Sequence, residues 1–296
     1  MNNKRIVVTG ATGHQGGAAA CHLLGRGFQV VAMTRDLSKP AAKVLAERGA
    51  ELVEGDLDDP ASIARAVEGV DGVFSVQTPY EGGVAREVVE GVALADATKQ
   101  AGVKHFVYTS VGSANQNTGI PHFESKWQIE QHIRRIGLPA TIIRPVFFMQ
   151  NWQRFLREPI LHGSLPSPLD PDRPLQQISV DDIGRIAATA FAEPERWIGR
   201  ELDLAGGELT MPQVAELFTR ILGREVSHWQ VPWDEFRQNM GEEATTMYRW
   251  FNEVGYHVDI AALRREFPWL ATLEQTLRSE DWEAWMAEMQ VGAGIA

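Results

Sequence analysis

The stretch RIVVTGATGHQGGAAACHLLGRG, residues 5–27, constrains the fold of this chain more than any other segment. Residues 5–9 form a short apolar, β-branched run, which reads as a buried strand. Three glycines follow at Gly10, Gly13 and Gly16, and a helical stretch begins directly after them. A strand, a glycine turn and a helix in that order provide the context a dinucleotide-binding turn requires. Gly10 permits the tight turn, Gly13 lets the backbone approach a pyrophosphate, and Gly16 lets the helix pack close to the strand. The free N–H groups and positive dipole end of the helix then face the phosphates. The spacing is Gly-x-x-Gly-x-x-Gly, so a glycine-rich turn in another α/β fold is the competing reading.

The second strand, FQVVAMTR, ends where an adenine ribose would lie. An acidic residue there would bind a 2′-hydroxyl and favour NAD(H), but this chain carries Arg35, with Lys39 close behind. A guanidinium fits a 2′-phosphate, so NADP(H) is the expected cofactor over NAD(H), although the adjacent Asp36 weighs the other way. At the end of the third strand, AELVEGDL, Asp56 and Leu57 are placed to meet the adenine edge; for Asp56 a turn-forming role is an equal alternative.

Apolar strands and helices continue to alternate as far as PATIIRP, residues 139–145. Such a run of βα units predicts a doubly wound parallel sheet with a smaller α+β C-terminal lobe. Ligands of these sheets bind beyond the carboxyl ends of the strands, which here hold residues 10–16, Arg35, Gln77, Thr78, Ser110 and Pro145. The expected division is a dinucleotide-binding domain over 1–150, with 176–192 returning to its core, and a substrate or partner lobe over 151–296. The strand QQISV and the helix DDIGRIAATAF are the returning elements. The proline-rich GSLPSPLDPDRPLQ reads as a long loop or lid, and two later segments, TMPQVAELFTRILG and EEATTMYRWFNEVG, as amphipathic helices. Seven of nine tryptophans lie beyond residue 190, as the core of the smaller lobe, a substrate wall or the interface of a homodimer.

A net charge of −11 disfavours direct contact with nucleic acid. No apolar run approaches the roughly 20 residues of a membrane-spanning helix. The amino-terminal segment does not read as a signal peptide, and a single cysteine, Cys21, forms no internal disulfide, so a cytoplasmic location is expected. The scattered histidines show no metal-ligand spacing.

The segments VTGATGHQGG, TRD, LVEGDLDD, FVYTSVG, HFESKWQIE, ISVDDIG and LAGGELTMPQVAELF run in an order that resembles the NmrA-like family of atypical short-chain dehydrogenase/reductases, which includes the HSCARG-type proteins. The resemblance covers residues 4–280. It implies a Rossmann domain binding NADP(H) and a smaller C-terminal lobe. Carried over, Gly10, Thr12, Gly13, His14, Gln15 and Gly16 look like the phosphate loop, and Arg35 and Lys39 like the 2′-phosphate site. Lys126 matches the lysine on the nicotinamide side, and Phe148 and Asn151 resemble its neighbours there. Some members are redox sensors acting through a regulatory protein partner. Others resemble reductases of small-molecule acceptors such as quinones and dyes.

In the wider superfamily a Tyr-x-x-x-Lys pair moves the proton that accompanies hydride transfer. Here His122 stands at the tyrosine position, four residues before Lys126. A neighbouring ammonium disfavours the imidazolium form, so His122 is a relay at best, or only lines the pocket. Ser110 and Ser113 flank the superfamily's serine position. The substrates that fit such a site are electron-poor acceptors, whose reduced form is a delocalised anion that takes its proton from water.

Overall fold

The computed structural model describes residues 3–279. In chain order the first elements are β1 (Arg5–Val8), α1 (His14–Gly25), β2 (Gln29–Thr34), α2 (Pro40–Glu47), β3 (Glu51–Glu54), α3 (Pro60–Val67), β4 (Gly72–Ser75), α4 (Gly83–Gln100), β5 (His105–Thr109), α5 (Pro121–Arg135) and β6 (Ala140–Pro145). There follow β7 (Phe147–Phe148), α6 (Asn151–Leu161), β8 (Ser164–Ser167), β9 (Pro174–Ile178), α7 (Val180–Ala192), α8 (Pro194–Trp197) and β10 (Glu201–Leu204). The last are β11 (Gly207–Thr210), α9 (Met211–Leu222), β12 (Ser227–Gln230), α10 (Trp233–Glu253), α11 (Ile260–Glu266) and α12 (Leu273–Arg278).

Two compact units divide the chain. Among the described residues, the first holds those up to 145 and 180–204, the second 146–179 and those from 205 onward. In the first unit seven strands form one sheet in the order β10-β6-β5-β4-β1-β2-β3, and every pairing is parallel. Its six amino-terminal strands run 3-2-1-4-5-6, the doubly wound Rossmann order, in which the chain reverses direction across the sheet between β1 and β4. The sheet is covered on both faces, which is why its inner strands are filled by apolar residues, while the edge strands β3 (ELVE) and β10 (ELDL) carry acidic ones. On one face Val7, Val31, Val73, Phe106, Tyr108 and Ile142 pack against Ile63, Leu94, Ile129 and Ile133 from α3, α4 and α5. Against the other lies α1, and α7 crosses α1 so closely that a Cβ on Gly184 would fall 2.5 Å from the Ala18 carbonyl carbon.

Local signals account for the helix starts. Asp59 caps α3 by accepting from the Ala61 N–H at 2.9 Å, with Pro60 at the first helical position. Thr210 and Gln213 form a capping box at the start of α9.

The second unit holds a three-stranded sheet, β11-β9-β7, and a two-stranded parallel sheet, β12-β8. The strand expected at QQISV is present as Pro174–Ile178, but it pairs with β11 and β7 and does not rejoin the large sheet; only the helix after it does. An apolar run says that a strand is buried without saying against what. The proline-rich stretch is not all loop: residues 164–167 form β8, with Pro166 placed opposite Trp229 of β12. A two-stranded sheet is all edge, and an edge tolerates a residue without an N–H. The helix expected from Glu242 is present as the second part of α10, joined to a first part from Trp233 across Gly241, which is non-helical with φ 83°. Tyr248, Trp250, Phe251 and Tyr256 stack in this unit, with ring centroids 5.2–5.8 Å apart. Two of the tryptophans, Trp282 and Trp285, lie outside the described residues. Among the described residues no helix is long and apolar enough to cross a membrane.

Candidate functional site

The turn after β1 is built by close contact. Gly10 has φ +58°, and a Cβ there would lie 2.7 Å from Val76 Cγ1 in the segment after β4. The Gly13 N–H donates to the Gly10 carbonyl at 2.8 Å and closes the turn. A Cβ on Gly16 would fall 2.3 Å from the Gly10 carbonyl oxygen, so only glycine lets α1 begin this near the strand. Gly13 sits at the N-cap of α1, where no side chain caps the helix and its first turn holds no acidic residue. The helix start therefore keeps its positive end unspent beside the β1–β4 crossing. His14 is exposed, and Thr12 is half-buried. Gln15 is fixed from below, because Thr109 Oγ1 at the end of β5 donates to its Oε1 at 2.6 Å.

Arg35 follows β2, half-exposed, and its Nη2 lies 2.5 Å from Glu81 Oε2 in the segment after β4. Lys39 is exposed at the start of α2. Asp36 turns away into its own loop, accepting from the Ser38 hydroxyl at 2.6 Å and the Ser38 N–H at 2.8 Å. Those bonds hold its carboxyl below the usual range. Of the two readings for Asp56, the structure forms the turn: its Oδ1 accepts from the Asp58 N–H at 3.1 Å, and Ser62 Oγ bonds its backbone. Leu57 packs against the core beneath that turn. Thr78 is exposed and accepts from the Tyr80 N–H at 3.4 Å.

At the ends of β4, β5 and β6 the polar groups are buried. Lys126, 8% exposed, projects from α5, and its Nζ donates to Glu87 Oε1 of α4 at 2.8 Å and to the Gln77 carbonyl at 3.3 Å. The Gln77 side chain is also buried and donates to Ser75 Oγ at 3.0 Å. Glu87 is fully buried, and its second oxygen accepts from Ser125 Oγ at 2.5 Å. His122 lies one turn before Lys126 on α5, its ring edge-on to Phe123 at 4.9 Å. Ser110 Oγ and Tyr108 Oη are buried with no protein partner. Burial, and secondarily the charges of Glu87 and Glu130, push the Tyr108 phenol well above its ordinary range, so it stays protonated. Pro145 ends β6, and its carbonyl accepts from the Gly112 N–H at 2.8 Å. Ser113, in the left-handed region at φ 62°, donates its N–H to Asp203 at 3.3 Å.

The structure thus joins Lys126 to Gln77, and Gln15 to the end of β5, as a common site requires. Phe148 and Asn151 belong to the second unit, at β7 and the start of α6. In the same unit Trp152 is buried against Phe147 and donates to Gln177 Oε1 at 2.6 Å. The sequence reading missed Glu81, Glu87 and Tyr108. For Glu87 a signal existed: it continues the buried stripe of Gly91, Leu94 and Thr98 along α4, and a carboxylate on such a stripe calls for a buried cation.

The NmrA-like family model matches residues 2–291. The chain is 30% identical over 239 residues to the NAD(P)H azoreductase of Xenophilus azovorans, covering 79% of this chain and 80% of that protein. Citrobacter sp. triphenylmethane reductase, solved with NADP(H), matches with a TM-score of 0.82 at 23% identity over 93% of this chain and 99% of that one. NmrA, a negative transcriptional regulator solved with NADP, matches at 0.79 and 23% over 96% and 100%. With the family model matched from residue 2 to residue 291, the chain belongs to the NmrA-like family.

Proposed function

We propose that this protein binds NADP(H) and reduces a small electron-poor acceptor, such as a quinone, an azo dye or an activated alkene or carbonyl. The observation that carries the cofactor reading is the start of α1: uncapped, lying over a strand at a distance only Gly16 allows, at the point where the sheet order reverses. When bound, the reduced nicotinamide supplies a hydride.

The residues of this chain then divide the remaining work. The N–H groups of the 10–16 turn hold the diphosphate. Arg35 supplies the guanidinium for a 2′-phosphate. Lys126, anchored by Glu87 and the Gln77 carbonyl, retains one N–H for a ribose hydroxyl. The position four residues before Lys126 holds His122 in place of the proton-donating superfamily tyrosine, and Tyr108, on the adjacent strand end, is fully buried and stays protonated. Acceptors whose hydride adduct is a delocalised anion do not need one, which is why quinones and dyes suit this site better than simple ketones. The likeness to an azoreductase supports the same class of acceptor. A cytoplasmic setting accords with a single unpaired cysteine, Cys21.

The same lack of a tyrosine favours a second reading, a non-catalytic NADP(H) sensor that acts through a protein partner. The likeness to NmrA supports it. Following nicotinamide absorbance with NADPH and a panel of quinones, azo dyes and enones separates the two. Turnover that is lost in Lys126→Ala supports the reductase. Tight NADP(H) binding without turnover on any acceptor overturns it in favour of the sensor. Calorimetry showing no binding of either dinucleotide ends both.

A further inference from the structure

The lysine at the candidate site is a charge that has already been cancelled. Glu87 is completely buried and Lys126 nearly so, and they meet at 2.8 Å. Both oxygens of Glu87 are occupied, one by Lys126 and the other by Ser125 Oγ. Of the three N–H donors on Lys126, one goes to Glu87 and one to the Gln77 carbonyl. Among the described residues no side chain takes the third.

Position gives this pair its meaning. Gln77 follows β4, so Lys126 lies beyond the carboxyl ends of the β4–β5–β6 half of the sheet. Arg35 follows β2, in the other half. A doubly wound sheet takes one nucleotide of a dinucleotide on each half. With the 2′-phosphate end on the side of Arg35, the nicotinamide nucleotide falls to the side of Lys126. That ring is cationic when oxidised and neutral when reduced. A bare buried ammonium beside it would repel only the oxidised form, because Coulomb forces are strong where water is excluded.

We propose that Glu87 is a positioning residue that neutralises Lys126 and thereby sets the preference of this site between oxidised and reduced nicotinamide. The inference rests on the NADP(H)-binding reading. Glu87 does two things through one contact. It aims the lysine, leaving a single N–H for the ligand, and it removes the positive potential that would otherwise make the site selective for the reduced cofactor. A reductase benefits, because product NADP+ and substrate NADPH then bind comparably; a sensor with this pair would discriminate the two weakly.

The test is the ratio of dissociation constants for NADP+ and NADPH, measured anaerobically by calorimetry on the full chain. Glu87→Gln removes the charge and keeps an acceptor oxygen for Lys126, while its amide N–H faces Ser125 Oγ, which can accept from it and donate to the His122 carbonyl instead. It is expected to weaken NADP+ relative to NADPH by about tenfold. Lys126→Met combined with Glu87→Gln removes both charges and is expected to return the ratio to within about twofold of the starting protein. A purely structural role would weaken both cofactors alike and leave the ratio fixed. If Glu87→Gln does not fold, Glu87→Ala, with water beside the ammonium, carries the same comparison with a smaller shift of the same sign. A ratio unmoved in the charge-removing variant, or one that does not return in the double variant, overturns the proposal. Failure of the unaltered protein to bind either cofactor would instead overturn the underlying reading.

Discussion

Arg35 and Glu81 meet at 2.5 Å across the ends of β2 and β4, so the guanidinium proposed to take a 2′-phosphate is already paired with a carboxylate. Both side chains are about half exposed, so the pair stabilises the fold little. Its effect falls on selectivity: a phosphate must displace Glu81, or share Arg35 with it. Glu81→Gln is expected to tighten NADP+ binding about three- to tenfold while leaving NAD+ nearly unchanged. Arg35→Ala is expected to erase the difference between the two. Titration calorimetry at low and high salt checks this, and the gap between the cofactors should narrow as salt rises. Equal affinities for NADP+ and NAD+ in the unaltered protein would remove Arg35 from the phosphate site.

Gly16→Ala places a methyl group 2.3 Å from the Gly10 carbonyl oxygen, against backbone that cannot step aside. The start of α1 must lift from β1. A loss of about 1–3 kcal/mol in stability is expected, together with at least about tenfold weaker dinucleotide binding. Gly25→Ala is the control within the same helix, since nothing lies within 4 Å of the added Cβ. It should raise stability by a fraction of about 1 kcal/mol and leave binding alone. Thermal melts and calorimetry on the two variants make the comparison.

Arg144 on β6 is 5% exposed and donates to both oxygens of the fully buried Glu130, at 2.8 and 2.6 Å, and to Glu201 of the edge strand β10 at 2.5 Å. These bonds hold the guanidinium firmly charged. Removing it strands Glu130, which keeps only Arg134 on its solvent side. Arg144→Met should cost about 3–5 kcal/mol in urea unfolding, and adding Glu130→Leu should recover much of that loss. A cost under about 1 kcal/mol for the single variant would show that the charges are not coupled in this way.

His105 on β5 links fold stability to pH. Its Nε2 lies 2.8 Å from Thr141 Oγ1, whose own proton goes to the Trp197 carbonyl, so the imidazole donates from Nε2 and leaves Nδ1 bare. Nδ1 is buried with no partner, and a proton there would find no acceptor. Burial first, then the charge of Lys4, lowers the pKa to about 4 from 6.5. The unfolded chain therefore binds this proton more readily than the folded one. The contribution of neutral His105 is complete above about pH 6.5 and is lost as pH falls toward 4, to a limit of about 3 kcal/mol. Denaturant unfolding at pH 7 and pH 4.5 should show a smaller acid loss in His105→Asn than in the unaltered protein.

Six strands of the large sheet were legible because apolar or β-branched residues fill most of them and helical stretches alternate with them, whereas the edge strand β10 was not, because ELDL alternates acidic residues with leucine. Gly10, Gly16 and Gln77 were candidates because strand ends announce them, and Lys126 because it stands on a helix four residues after His122 in HFESKWQIE. Glu81 and Glu87 were not. Glu81 lies in a loop, and Glu87, although it stands on the buried stripe of α4 with Gly91, Leu94 and Thr98, shows its partner only when α5 is packed against it. The strand at residues 174–178, expected to return to the core of the first domain, pairs with β11 and β7, because local sequence does not encode the partner strand.

The chain passes between its two units three times, at residues 145–146, 179–180 and 204–205. No single cut near the middle of the sequence therefore releases the carboxy-terminal unit as a cassette. Truncation at residue 150 would strip the Rossmann unit of α7 and of edge strand β10, exposing the face of α1 and the ionic cluster around Arg144. Grafting the second unit onto another Rossmann host would have to transplant segment 146–179 together with the described residues from 205 onward, with 180–204 retained from the host. Selection acting on one unit is likewise threaded through the reading frame of the other.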